Sequence, residues 1–168
     1  MAWPFAGTSA SELRRRALQA YVKLASAEPD ESDVQWLASV STAGDADRAR
    51  WELRYARRVL SLLVAERDAF DDRTASDVAR EVRAALQLDR SIAAGMVRVA
   101  ERQLNERLSA YRTALQVRSS GEPAALRLAR VLIGAGPRRE PGPDLARGAR
   151  IVSAYMASAQ DLLRKAQG

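Results

Sequence analysis

The stretch that decides the fold is Asp45–Phe70, DADRARWELRYARRVLSLLVAERDAF. Its apolar side chains fall at Ala49, Leu53, Ala56, Leu60, Leu63 and Phe70. Those steps of three, four and seven skip only Arg67 and follow one face of an α-helix. Tyr55, Val59 and Leu62 widen the stripe beyond a single seam, so this helix meets more than one neighbour. Val59–Ala65 is the longest nearly apolar run, seven residues with a serine inside. A membrane span needs about 20, so the run reads as the core of a soluble protein.

Working outward, the same periodicity covers almost the whole chain, and no strand alternation interrupts it. Upstream, Ser9 and Glu12 have capping-box spacing and open a helix that Pro29 closes. Leu13, Ala17, Tyr21 and Leu24 form its expected inner face. A short helix is predicted from Asp30 to about Val40, with Val34, Leu37 and Val40 inward and Ser41–Gly44 as a turn. Downstream, Asp71-Asp72-Arg73 is a polar break, and Thr74 with Asp77 reads as the next helix start.

From Thr74 to Arg118 no proline intervenes. One unbroken rod of that length would span roughly 67 Å, against a diameter near 40 Å for a compact chain of this size (roughly, from its radius of gyration). Either the helix breaks near Leu88–Ser91 or the protein is elongated against another chain; the break is the preferred reading. Val97, Ala100, Leu104, Leu108, Tyr111 and Leu115 then line the second piece. Residues 119–148 hold four of the six prolines and five of the nine glycines. They read as an irregular connector with a short helix at Pro123–Ile133, inner face Leu126, Ala129, Leu132 and Ile133, and a loop at 134–143. A last helix is expected from Asp144 to about Gln167, with Asp161 and Lys165 as a favourable i,i+4 pair. The expected architecture is all-α. It is an antiparallel bundle of three to four long helices plus two short ones in one domain spanning 1–168.

Composition removes much chemistry. The chain has 168 residues, net charge +6, no cysteine and no histidine. Disulfides, thiolate nucleophiles, Ser-His-Asp triads and histidine metal ligands are thereby excluded. Asp45, Asp47 and Glu52 fail calcium-loop spacing, because position 49 is alanine and no glycine follows. Glu66, Asp68, Asp71 and Asp72 read as a solvated helix end and helix start. Gly134 and Gly136 lack the strand and the Gly-Lys-Ser/Thr of a phosphate loop. The expectation is a non-catalytic protein with no cofactor, no metal and no evident small-molecule substrate. The N-terminal residues carry no secretory signal pattern, so a cytoplasmic location is expected. The alanine and arginine bias suggests a bacterial or phage source.

The positive charge lies in the C-terminal half, and all but two of the 27 basic residues are arginine. Arg127, Arg130, Arg138, Arg139, Arg147 and Arg150 fall within 24 residues, the densest candidate for gripping phosphate or a partner's carboxylates. Arg50, Arg54, Arg57 and Arg58 form another line, Arg80, Arg83 and Arg90 a third, and Arg98 with Arg102 a fourth. Trp3, Phe5, Trp36 and Trp51 are candidate interface anchors; Trp36 and Trp51 also suit a core edge. Two functions follow. One is a helical scaffold or adaptor working through protein–protein contact, as a homo-oligomer or a subunit of a larger assembly. The alternative is nucleic-acid binding through the basic C-terminal half.

Overall fold

A computed structural model of the chain describes residues 9–118, 121–136 and 138–167. These residues are all-α, in seven helices with no strand. The elements are α1 (Ala10–Ala25), α2 (Glu31–Val40), α3 (Ala46–Asp68), α4 (Asp72–Gln87), α5 (Val97–Gln116), α6 (Ala124–Ile133) and α7 (Pro143–Gln167). A 3-10 turn at Ala94–Met96 leads into α5.

The quoted stretch is the centre of the molecule. α3 packs on α2, α4, α5 and α7, and Val59–Ala65 is buried through its whole length. A helix covered on every side must be apolar all round over that length, which is what the widened stripe implied. Asp45 caps it by accepting a hydrogen bond from the Arg48 N–H at 2.9 Å. Asp45 therefore serves a helix end and not a calcium loop. The buried side chains of all seven helices form one cluster.

The long segment breaks at the predicted place, with α4 ending at Gln87 and α5 beginning at Val97. That break makes five helices of 16 residues or more, and two of ten, instead of three to four long ones. Four local expectations need correction. α4 starts at Asp72, and its cap is Asp71, whose carboxylate accepts from the Thr74 N–H at 2.6 Å; Thr74 is the residue being capped. Leu13 is 56% exposed, and the helix buries Tyr21 and Ala25 instead. Phe70 is 80% exposed, because α3 stops at Asp68 and leaves it in the linker. On α6 the buried face includes Leu128, while Leu126 is only partly covered. The Gly/Pro-rich loop follows Ile133 as expected, opened by Gly134, whose φ of 66° closes α6 in a left-handed cap.

α6 and α7 approach closely at Gly148. A Cβ there would stand 3.1 Å from the Ala129 Cβ and 3.4 Å from the Trp36 ring. The Ala129 Cβ is fixed to its backbone and cannot turn aside. Gly148→Val is therefore expected to destabilise the fold by about 1–3 kcal/mol through overpacking, despite removing a glycine from a helix interior. Urea denaturation of the variant beside wild type checks it.

Candidate functional site

The arginines singled out from the sequence have divergent fates. On α3, Arg50 pairs with Glu31 of α2 at 3.0 Å. Arg54 forks onto Glu28 at 2.7 Å and lies over the Trp51 ring at 4.7 Å. Arg58 is buried against Asp89 at 3.0 Å. Arg57 alone meets no carboxylate and stacks on the Tyr155 ring of α7 at 4.2 Å. On α4, Arg80 bridges Asp77 and Glu81, and Arg83 donates to the Asn105 side chain at 2.8 Å. Arg102 is 4.0 Å from Glu106. Among the described residues Arg90 and Arg98 have no ion-pair partner.

The C-terminal cluster is largely internal. Arg127 donates to the carbonyls of Ala114, at 2.6 Å, and of Glu122. It thereby satisfies orphan acceptors at the end of α5. Arg130 forks onto the Glu122 carboxylate, at 2.8 Å, and onto the Arg139 carbonyl, at 2.6 Å. Those bonds hold the Glu122 carboxyl below its usual range. Arg139 pairs with Asp144 at 3.2 Å. Arg147 reaches across to Asp33 at 3.3 Å and lies over the Trp36 ring at 5.4 Å. Only Arg138 and Arg150 are exposed with no ion-pair partner among the described residues. The six do not form one open basic face.

The aromatic candidates also divide. Trp36 is 9% exposed and packed into the core beside Gly148, so its ring is not presented to a partner. Trp51 is half-buried against the core and 5.6 Å from the Tyr55 ring. Trp3 and Phe5 lie outside the described residues. The acidic residues are engaged separately: Glu66 with Arg112, Asp68 with Arg67 and Gln160, and Asp71 as the α4 cap. Among the described residues no three such side chains gather as a metal site would require. No helix among them is long and apolar enough to cross a membrane.

One open feature was not legible as a site in the sequence. α1 and α4 touch where Arg14 meets Thr74 and Asp77, at 3.4 and 3.2 Å. Beside that contact a groove of about 750 Å³ opens between them. It follows α1 from Ser11 to Ser26, roughly 22 Å at 1.5 Å per residue. Its floor is Leu18 and Val22, both partly buried. Its rim carries Arg14, Arg15, Lys23, Arg73 and Arg80 against Glu81. Arg14, Arg15 and Arg80 already face Asp77, Glu12 and Glu81. Such exposed pairs are worth at most about 1 kcal/mol and exchange readily. Lys23 and Arg73 have no ion-pair partner among the described residues. Four residues at helical spacing, Ser11, Leu18, Val22 and Ser26, mark the strip of α1 that lies open. An apolar floor with a cationic rim, four turns long, has the shape and charge to receive an amphipathic helix of opposite sign.

Comparison with protein-family models, with curated proteins and with solved structures found no match. The groove's own chemistry is therefore the basis for its reading.

Proposed function

We propose that this protein is a non-catalytic helical adaptor that docks an acidic amphipathic helix of a partner protein in the α1–α4 groove. One observation carries the reading: the groove combines an apolar floor, Leu18 and Val22, with a rim of five cations and one carboxylate. The apolar floor supplies affinity through burial. The rim supplies orientation and approach rate. A nucleic-acid surface draws its affinity from cations on phosphates and from aromatic stacking, and gains little from an aliphatic floor such as Leu18 and Val22. Arg127 and Arg130 are engaged with internal acceptors and Arg139 and Arg147 pair elsewhere on the surface, so the C-terminal arginines present no single basic face to compete with the groove.

The test uses the full chain and two labelled probes of equal negative charge: a Glu-rich peptide helix with leucines along one face, and single-stranded DNA. Fluorescence anisotropy is expected to show peptide binding at physiological salt. Leu18→Glu and the pair Lys23→Glu, Arg73→Glu should each weaken it by about tenfold or more. DNA should bind more weakly and ignore Leu18. Equal or tighter DNA binding, or peptide binding that survives both variants, would overturn the proposal, as would absence of peptide binding.

A further inference from the structure

A second cleft, sharing no lining residue with the groove, lies between the end of α1, α2, α3 and α7. It has a volume of about 320 Å³. α3 contributes Arg57, α7 contributes Arg147, Arg150 and Tyr155, and the start of α2 contributes Asp30 and Asp33. Leu24, Ile151 and Ala154 make an apolar wall.

Arg57 is the unusual member. Its guanidinium carbon lies over the Tyr155 ring, 4.2 Å from the centroid, and its Nε is buried with no hydrogen-bond partner among the described residues. Every other arginine of the α3 line has a carboxylate; Arg57 has none. A cation half-withdrawn from water, fixed by stacking and left without an anion is poorly explained by stability alone. Arg150, one turn from Arg147 on α7, is exposed and also unpaired. Arg147 is only partly committed, donating to Asp33 and to the Ser32 carbonyl. The unmatched groups of this cleft are the Arg57 Nε, the Tyr155 hydroxyl and the Arg150 guanidinium, all able to donate, and what they lack is acceptor oxygen.

Charge decides which anion. Three arginines face two aspartates across the cleft, an excess of one positive charge. A monoanion balances it. A phosphate monoester, near two negative charges at neutral pH, would exceed it and meet Asp30 and Asp33 at close range. The planar fork of arginine also matches a carboxylate with two parallel hydrogen bonds. The apolar wall is small and suits a short aliphatic or aromatic body.

We propose that this cleft binds a small organic monocarboxylate, whose carboxylate is held by Arg57 and Arg150 and whose body lies on Leu24, Ile151 and Ala154. The Tyr155 ring holds Arg57 in position without touching the ligand's carboxylate.

The probes are benzoate, its neutral isostere benzamide, and phenyl phosphate. They are titrated into full-length protein while the methyl resonances of Leu24, Ile151 and Ala154 are followed by NMR. Benzoate should shift these methyls saturably, benzamide should not, and phenyl phosphate should bind more weakly than benzoate. Arg150→Ala, on an exposed side chain that the fold does not need, should weaken benzoate by about tenfold. Arg57→Gln should weaken it at least as much. Absence of a saturable benzoate shift overturns the proposal. So does benzamide binding as well as benzoate, phenyl phosphate binding more tightly, or indifference to Arg150→Ala. Because the two surfaces share no residue, failure here leaves the α1–α4 groove reading standing, and failure of the groove leaves this one.

Discussion

Replacing Asp89 by alanine is expected to lower the unfolding free energy by about 3–5 kcal/mol, the usual consequence of stranding a buried charge. Arg58 is 2% exposed, and among the described residues the Asp89 Oδ2 at 3.0 Å is its one ionic partner. Its Nε and Nη1 find no acceptor at all. Arg54 lies near enough to add repulsion, and burial already pushes the Arg58 guanidinium down from its ordinary value. Without Asp89 the cation would remain inside with nothing opposite it. Asp89 has a second task. Its other oxygen accepts from the Ser91 N–H at 2.9 Å and from the Ser91 hydroxyl at 2.5 Å, closing the turn between α4 and α5. Burial alone would raise the Asp89 carboxyl; the Ser91 donors and Arg58 outweigh it and hold it below the usual carboxylate range. A depressed folded-state value means the stabilisation is complete above the ordinary carboxylate range. It is lost as pH falls through the folded value. Wild type should therefore lose stability on acidification over a range in which Asp89→Ala stays flatter. The companion variant is Arg58→Met. It removes the cation together with its two unmatched donors and keeps much of the volume, so it should be near neutral or stabilising. Urea denaturation at neutral pH and along an acid series measures both. A variant order with Arg58→Met worse than Asp89→Ala would show that Arg58 is a net stabiliser.

That pair also shows where sequence reading stops. The periodicity of Asp45–Phe70 placed a helix, its width placed neighbours on several sides, and rod length against chain size called for a break near Leu88–Ser91, which the structure has between Gln87 and Val97. These are local or global counts, available without coordinates. The partners of the arginines are neither. Arg50, Arg54 and Arg58 sit four apart on one helix, and their carboxylates, Glu31, Glu28 and Asp89, come from two other segments. Spacing along the chain reveals only i,i+3 and i,i+4 pairs such as Asp161 with Lys165, observed at 2.8 Å. The six C-terminal arginines looked like one patch because they are close in sequence. Arg127 and Arg130 turn back on α5 and Glu122, while Arg147 crosses to α2. The cleft arginine, Arg57, is 98 positions from the tyrosine that fixes it. Its one sequence signal was membership in the α3 line.

Leu60→Ala and Phe70→Ala should differ by most of the range that a core substitution can span, although both residues belong to one periodic line. Leu60 is fully buried in the stretch of α3 that α2, α4, α5 and α7 surround. Four rigid neighbours cannot all close on the lost volume, so a cavity persists and the expected loss is about 3–5 kcal/mol. Phe70 is 80% exposed. Its structural contribution is its backbone N–H, which donates to the Gln167 side chain at 2.6 Å, and alanine keeps that donor. Its substitution should change stability by less than about 0.5 kcal/mol. The reason lies one residue earlier. Ala69 turns extended, with φ −67° and ψ 139°, and Asp71 accepts the Thr74 N–H to start α4. Between a helix that has ended and one whose cap lies just ahead, Phe70 has left the 3.6-residue period that would have turned it inward. Chemical denaturation of the two variants beside wild type measures the difference. Equal losses would mean that α3 continues past Asp68 in solution and carries Phe70 into the core.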